Sequence, residues 1–313
     1  EGMFIMPTTC RVCPINCRME SLCDGLEISD PPKRIYYNFE ARMFSIERVG
    51  FYHYHPGSSV LLVITSGCNL SCIFCPEHNI VFGRKEKMSS EMVVREIMRN
   101  IYENSPNHLC FYCNSILDID LIERITEKQD INIISISHGF AEKTIMLRLL
   151  GNLDAILFRF FGYSKESYAT VTLSPYAYRY AVDSLVNAVK LGLHVEIEFY
   201  IIPGVTTTRE FDEFVERIHA INPDIPLHLR RFQPGFIETS RSPTRTELLQ
   251  RFYKIAKGRL HYVYGELWGS EMNNTYCPNG HLVIERFGWN IKRILLDGNR
   301  CKVCGAYLPI RAV

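Results

Sequence analysis

The chain has 313 residues, a formal net charge of +1, 47% hydrophobic residues and 22% charged residues. This balance provides no overall electrostatic field for nucleic acid or for an anionic membrane. No apolar run approaches the roughly 20 residues that span a bilayer. The start, Glu1-Gly2-Met3, lacks a basic segment followed by an apolar one, so we expect no signal peptide and a cytoplasmic location.

The twelve cysteines of the chain occur in clusters. Disulfide-rich secreted domains are usually much shorter and carry a secretion signal. Close spacing without such a signal favours metal binding over disulfide bonds. The clusters are Cys10, Cys13, Cys17 and Cys23; then Cys68, Cys72 and Cys75; then Cys110 and Cys113; and finally Cys277, Cys301 and Cys304.

The first predicted unit, residues 1–57, is the cysteine-rich segment that contains Cys10, Cys13, Cys17 and Cys23. Four thiolates in a compact set can hold zinc or an iron–sulfur cluster, because both accept tetrahedral sulfur ligation. The sequence leaves these two alternatives open. A second cluster in this segment would allow electrons to be relayed to a catalytic one.

Residues 58–235 alternate apolar runs with helical patterns, and Ser89 or Ser90 is a predicted helix N-cap. Such alternation predicts a parallel sheet with right-handed crossovers. We expect an α/β fold, a partial (β/α)6 TIM-like barrel, with its active site at the carboxyl ends of the strands. The predicted strands are residues 60–65, 108–112, 131–137, 155–161, 194–202 and 226–232.

The strongest motif is Cys68-x3-Cys72-x2-Cys75, which directly follows the first predicted strand of the barrel. An iron–sulfur cube usually takes four cysteine ligands. Three ligands in one loop therefore leave one iron open, and an open metal position is what a catalytic site needs. The structural alternative is a zinc ion that takes its fourth ligand from elsewhere in the chain.

At this motif the chain resembles the radical S-adenosylmethionine superfamily. More narrowly, it resembles the pyruvate formate-lyase activating enzymes and the AmmeMemoRadiSam-system radical enzymes. The resemblance also includes Cys10-Arg-Val-Cys13, the stretch 202–204, the stretch 226–232 and the cysteines near the end of the chain. It implies a 4Fe-4S cluster on Cys68, Cys72 and Cys75, with Phe74 beside the bound S-adenosylmethionine. It also implies oxygen sensitivity and a low-potential electron donor such as a ferredoxin or a flavodoxin.

The chain departs from this resemblance at the end of the second strand. Relatives carry a glutamate motif there that holds the methionine amino group, whereas this chain has Tyr112-Cys113-Asn114-Ser115. Asn114 and Ser115 can accept hydrogen bonds but carry no charge, and Glu198 is a candidate for the missing carboxylate. Cys113 is predicted to be a reactive thiol or a hydrogen donor, or alternatively a small buried apolar residue.

Two further side chains are candidates for cofactor contacts. Arg159 stands in the Phe158-Arg159-Phe160 run, where the resemblance leads us to expect an aspartate and a lysine. It can bind a carboxylate or belong to a structural ion pair. His228 matches a histidine near the nucleoside in relatives, and the alternative is a neutral histidine hydrogen-bonded inside the barrel.

The last predicted unit, residues 236–313, begins with a helix that runs to about residue 257, with Thr244 and Glu247 as its capping box. A small metal module follows. Three thiolates and one imidazole suit structural zinc, although an auxiliary iron–sulfur cluster or loss of the metal are alternatives. The predicted ligands are Cys277, His281, Cys301 and Cys304.

Two functions follow from these observations. The first is reductive cleavage of S-adenosylmethionine to a 5′-deoxyadenosyl radical that abstracts hydrogen from a substrate. The resemblance leaves the substrate open between a protein backbone glycine, another protein or RNA site, and a small molecule. The second function is non-catalytic binding of RNA or of a protein partner by the metal knuckles, although the chain has no dense basic stripe.

Overall fold

The computed structural model describes residues 12–15, 26–27, 33–113, 115–267 and 269–312. Its centre is one eight-stranded sheet, which is preceded by the short antiparallel strands β1 (Leu26–Glu27) and β2 (Lys33–Arg34). The strands of the large sheet are β3 (Phe39–Ser45), β4 (Ser59–Thr65), β5 (His108–Cys113), β6 (Asn132–Ser137), β7 (Ala155–Phe160), β8 (His194–Ile201), β9 (Leu227–Arg231) and β10 (Val263–Gly265).

These strands lie side by side in chain order, from β3 at one edge to β10 at the other. All neighbours pair in parallel except β3, which runs antiparallel to β4. The six predicted strands correspond to β4–β9, so the predicted partial barrel is confirmed. The two additional strands extend the sheet at its edges.

Helices cover the outer face of the sheet and bury apolar side chains against it. In the third helix, Ser89 is the N-cap, as predicted, and its side chain accepts a hydrogen bond from the Met92 N–H at 3.3 Å. The helices are α1 (Ile46–Val49), α2 (His78–Val81), α3 (Ser90–Asn104), α4 (Ile119–Thr126), α5 (Lys143–Leu150), α6 (Lys165–Thr172), α7 (Ala177–Lys190), α8 (Thr208–Ile221) and α9 (Thr246–Lys257), with 3₁₀ turns at Ser115–Leu117 and Glu271–Asn273.

The inner face of the barrel has an apolar half and a charged half. Strands β4–β7 contribute an apolar cluster that includes Leu62, Cys110 and Leu157. Strand β8 places two buried carboxylates, Glu196 and Glu198, on the same face, because Glu196 pairs in register with Leu157. This charged half lies beside the edge at which the barrel stays open.

The predicted capping box of α9 is wrong. The helix begins at Thr246, and the N-cap residue Arg245 makes no side-chain cap. The Thr244 hydroxyl instead accepts a hydrogen bond from the Phe232 N–H at 2.8 Å and donates to the Ile201 carbonyl. The fully buried Thr244 thus links the ends of β8 and β9, and this tertiary contact replaces the local cap.

The C-terminal module contains a three-stranded antiparallel sheet of β11 (Thr275–Tyr276), β12 (Leu282–Phe287) and β13 (Asn290–Ile294). A hairpin of β14 (Leu296–Asp297) and β15 (Arg300–Cys301) follows. Arg286 of β12 is buried and donates to the Tyr52 carbonyl at 2.9 Å and to the Thr275 hydroxyl at 2.8 Å. The module is therefore fastened to the base of the barrel. None of the helices in the described ranges is long and apolar enough to cross a membrane.

Candidate active site

The cysteine loop, residues 66–77, follows β4 at the carboxyl edge of the sheet and is held by backbone contacts from its neighbours. The Asn69 side chain donates to the Phe140 carbonyl at 2.6 Å. The Ser71 N–H donates to the Thr172 carbonyl at 3.2 Å, at the end of α6. These two contacts hold the loop through groups other than its cysteine side chains.

Cys68, Cys72 and Cys75 line one cavity. Burial, together with the negative charges of the neighbouring cysteines, raises the pKa of Cys72 and raises the pKa of Cys75 to about 12. Bare thiolates are therefore unfavourable here, whereas an iron–sulfur core would compensate their charge. The ring of Phe74 packs edge-on against Phe232 at 4.9 Å between centroids and closes this side of the cavity.

The loop thiols do not form a site for a single ion. Among the described residues, the metal-binding side chains that converge on one position are those of the C-terminal module. The loop thiols instead lie farther apart than the ligands of a single ion, and this spacing suits a multi-iron cluster better than a zinc ion. The donor set therefore agrees with the predicted cluster.

His138 is a site residue that the sequence analysis did not identify. It follows β6 directly and lines the cavity. Its Nδ1 accepts a hydrogen bond from the Phe140 N–H at 3.3 Å, so the ring proton lies on Nε2, 3.7 Å from the Cys68 Sγ. Burial and the nearby Arg159 lower the pKa of His138 to about 3, which keeps the ring neutral. The signal that could have found it is its position at the carboxyl end of a barrel strand.

Arg159 of β7 lies at the centre of a buried polar network beside the cavity. Its Nη1 donates to the Tyr112 hydroxyl at 2.7 Å and to the Cys113 Sγ at 3.2 Å. Its Nε donates to a Glu198 oxygen at 2.9 Å. The guanidinium also lies over the Tyr112 ring, at 4.9 Å from the centroid. The ion pair that the sequence analysis gave as an alternative for Arg159 is therefore present, and its side chain also lines the cavity.

Glu198 is paired through both of its oxygens. Oε2 accepts from Arg159, and Oε1 accepts from the Arg230 Nε at 2.6 Å. Despite complete burial, these two guanidinium groups lower the pKa of Glu198 to about 2. The role predicted for Glu198, binding of the methionine amino group, stays a prediction, because neither oxygen is left without a partner in this arrangement.

His228 lies deeper in the barrel than the cysteine loop. Its Nε2 is 2.6 Å from Glu196, and its ring stacks on Tyr264 with centroids 5.1 Å apart. Burial lowers the pKa of His228. Glu196 also accepts hydrogen bonds from the backbone N–H groups of Tyr52 and His53. The contact with a nucleoside stays a prediction, and the buried hydrogen bond given as its alternative is present.

A second cleft adjoins the first and shares Phe74, Tyr112 and Tyr200 with it. It opens where the sheet fails to close, between residues of β3 and α1 on one side and residues of β9 and the segments after β9 and β10 on the other. The guanidinium of Arg48 lies over the Phe44 ring at 4.3 Å and over the Trp289 ring at 5.3 Å. The charged residues that line this second cleft are Arg42, Arg48, Glu77, Glu198, Arg230, Arg231 and Glu266.

The N-terminal cysteines are only partly described. Cys13 is buried and packs in an apolar cluster with Leu70 and Phe140, so this segment touches the cysteine loop. Ser115 begins the 3₁₀ turn that follows β5. The predicted residues Cys10, Cys17, Cys23 and Asn114 lie outside the described residues.

The four predicted ligands of the C-terminal module are brought together, with their ligand atoms within 4.8 Å of one another. The Sγ atoms of Cys277 and Cys304 are 3.8 Å apart, and the Cys277 Sγ is 3.4 Å from the His281 Nδ1. A tetrahedron with zinc–sulfur bonds of about 2.3 Å has an edge of about 3.8 Å. Hydrogen bonds from Ala306 and Asn279 lower the pKa of the Cys304 thiol to about 6. The donor set fits a zinc ion.

Comparison with known proteins agrees with this geometry. The model of the Radical SAM superfamily matches residues 62–218, which is half of the chain. An uncharacterized protein of Methanocaldococcus jannaschii, MJ0808, is 32% identical over 285 residues, covering 85% of this chain and 82% of that protein.

Solved structures with a similar fold are more distant. A domain of pyruvate-formate lyase-activating enzyme from Bacteroides vulgatus is 15% identical, covers 47% of this chain and 88% of its own, and has a TM-score of 0.39. Streptococcus suis SuiB bound to S-adenosylmethionine is 11% identical, covers 64% of this chain and 48% of its own, and has a TM-score of 0.49. The narrower resemblance to the activating enzymes stays a prediction. From the family match, the chain belongs to the radical S-adenosylmethionine superfamily, whose members hold a 4Fe-4S cluster and bind S-adenosylmethionine.

Proposed function

We propose that the chain cleaves S-adenosylmethionine reductively at a cluster held by Cys68, Cys72 and Cys75, and that hydrogen is then abstracted from a substrate in the adjoining cleft. The observation that carries the proposal is that the two cavities are adjacent. The cysteine cavity and the larger cleft share Phe74, Tyr112 and Tyr200. A nucleoside beside the loop would therefore lie close to a substrate in the cleft.

The residues of the chain have distinct tasks in this proposal. When bound and reduced, the cluster supplies the electron that splits the sulfonium carbon–sulfur bond of S-adenosylmethionine. Phe74 and Tyr200 line both cavities and limit the access of water to the space between them. Arg159 provides a cationic group at the cavity wall, 2.8 Å from Glu198, which orients its guanidinium. The remaining N–H of its Nη2 suits a carboxylate oxygen of the methionine moiety.

The shape of the cleft supports a substrate that enters from the side of the barrel. The cleft is open to the surface and carries both arginines and glutamates around aromatic walls. Such a lining can accept an extended polar group, as presented by a protein segment in glycyl-radical activation or by a site of protein or RNA modification. Electrons would come from a ferredoxin or a flavodoxin, as the family requires a low-potential donor.

We further propose that Cys277, His281, Cys301 and Cys304 hold a structural zinc ion. Three thiolates and one imidazole at tetrahedral spacing are typical of closed structural sites. Cys277 and Cys301 are buried, which ties the ion to the core of the module. For the N-terminal cysteines, zinc and an auxiliary cluster stay equal alternatives.

The test uses the full chain, purified and reconstituted without oxygen, with dithionite and S-adenosylmethionine. We expect 5′-deoxyadenosine to form, and Cys72→Ala to abolish it. The matched control is Cys110→Ala, since Cys110 is buried in β5 and does not line the cavity. If a protein with a loaded cluster forms no cleavage product but binds tRNA in a salt-dependent manner, the chain is the metal-knuckle protein instead.

A further inference from the structure

Four cysteines, and not only the three of the loop, line the cavity at the carboxyl edge of the sheet. Cys68, Cys72 and Cys75 come from the loop after β4, and Cys113 comes from the end of the neighbouring strand β5. A loop of three thiolates next to a fourth thiol is a complete ligand set for an iron–sulfur cube. The loop motif alone does not indicate this fourth thiol.

The backbone at Cys113 departs from regular strand geometry in a way that places the thiol in the cavity. Side chains alternate along β5, so that Cys110 and Tyr112 belong to the inner apolar cluster while Phe111 belongs to the outer one. A regular continuation would send Cys113 outward with Phe111. Instead its φ is 56°, in the left-handed region that non-glycine residues rarely adopt. Such strain typically persists at functional sites.

The Cys113 sulfur has a charged hydrogen-bond donor beside it. Its Sγ accepts a hydrogen bond from the Arg159 Nη1 at 3.2 Å. The guanidinium is held in place by Glu198 and Tyr112. A hydrogen bond from a charged donor is among the stronger ones that a thiolate can receive. By contrast, the Cys110 thiol makes a long contact with the Phe111 carbonyl, at 3.9 Å.

We propose that Cys113 is the fourth thiolate ligand of the resting cluster and that S-adenosylmethionine displaces it. This inference rests on the proposed function, which identifies S-adenosylmethionine as the ligand that displaces Cys113. In the exchange, one iron–sulfur bond to Cys113 breaks, and bonds from the iron to the amino nitrogen and a carboxylate oxygen of the cofactor form. The leaving sulfur keeps its electron pair and takes up the proton that the ammonium group of the cofactor gives up on binding, so no atom is oxidised or reduced. Arg159 stays beside the sulfur of the released thiol.

The experiment measures the stability of the fourth iron rather than turnover. Wild type, Cys113→Ala and the matched control Cys110→Ala are reconstituted as full chains without oxygen and without S-adenosylmethionine, and then treated with ferricyanide. We expect wild type and the control to keep four irons per cluster. Cys113→Ala should lose one iron, with a several-fold larger electron paramagnetic resonance signal of a three-iron cluster. Cys113→Ala should also bind S-adenosylmethionine several-fold more tightly, because no thiolate has to be displaced.

Equal loss of iron from wild type and Cys113→Ala would overturn the proposal. If the alanine variant fails to load a cluster, Mössbauer spectra of the wild type test the proposal instead. Four equivalent irons before addition of S-adenosylmethionine, of which one becomes distinct from the other three after the addition, support the proposal. One distinct iron that is already present before the addition refutes it. Neither readout depends on 5′-deoxyadenosine, so the proposed function can fail while Cys113 ligation stands.

Discussion

The hydrogen bond from His138 to Cys68 should set part of the reduction potential of the cluster. The Nε2–H lies 3.7 Å from the Cys68 Sγ, and the Phe140 N–H holds the ring in the tautomer that donates. Adding an electron makes the sulfur ligands more negative, so a donor stabilises the reduced cluster more than the oxidised one. Replacing His138 with leucine removes the donor and should lower the potential.

The magnitude follows from the strength of such a bond. A hydrogen bond contributes about 1 kcal/mol net, which corresponds to about 40 mV for a one-electron couple. Because the N···S distance is long, we expect His138→Leu to lower the potential by up to about 40 mV. The assay is an anaerobic redox titration followed by electron paramagnetic resonance. His138→Gln keeps an N–H donor and should recover part of the shift. An unchanged potential in His138→Leu, at full iron content, would refute the reasoning.

Three further predictions concern stability and the C-terminal metal. Glu198→Gln leaves two arginines without their buried carboxylate and should lower the free energy of unfolding by about 3–5 kcal/mol in urea titrations, whereas the exposed Glu213→Gln should change it by less than about 1 kcal/mol. The pKa of Glu198 in the folded protein is lowered to about 2. Its contribution to the free energy of unfolding is therefore complete above the unfolded-state pKa of about 4.3 and should be lost as the pH falls towards 2. Free energies of unfolding that do not change between these two pH values contradict the assignment. Ser89→Ala removes the cap of α3 and should cost about 1 kcal/mol, while Ser90→Ala, one residue further on, should cost less than about 0.5 kcal/mol; equal effects would mean that the cap hydrogen bond contributes nothing. Cys304→Ser should reduce bound zinc, measured by elemental analysis, and lower the melting temperature without changing the iron bound by the cysteine loop; unchanged zinc would exclude Cys304 as a ligand.

The sequence predicts the central strands because they are buried on both faces and therefore consist of continuous apolar runs. Strand β3 (FEARMFS) lies at the edge, where Glu40 and Arg42 reach solvent and bind each other, so its pattern does not indicate a buried strand. Strand β10 has only three residues, too few for any periodicity. Strands β3 and β10 can therefore be recognised only from their pairing with the neighbouring strands in the structure.

The spacing of the loop cysteines is local, so the sequence alone predicts this part of the site. The pairing of Arg159 with Glu198 depends instead on the register between β7 and β8, where these two residues lie side by side. The sequence contains both residues but not this register. The same holds for Cys113, because its orientation depends on a single positive φ. At Thr244 the local pattern predicts a helix cap that does not form, because the Thr244 side chain instead makes a contact between the ends of two strands.

The indole of Trp289, in the hairpin between β12 and β13, forms part of the wall of the substrate cleft. The C-terminal module is therefore more than an appendage that holds a metal, because one of its side chains helps to shape the cleft. A substitution in this hairpin can change the width of the cleft while leaving every strand of the barrel untouched.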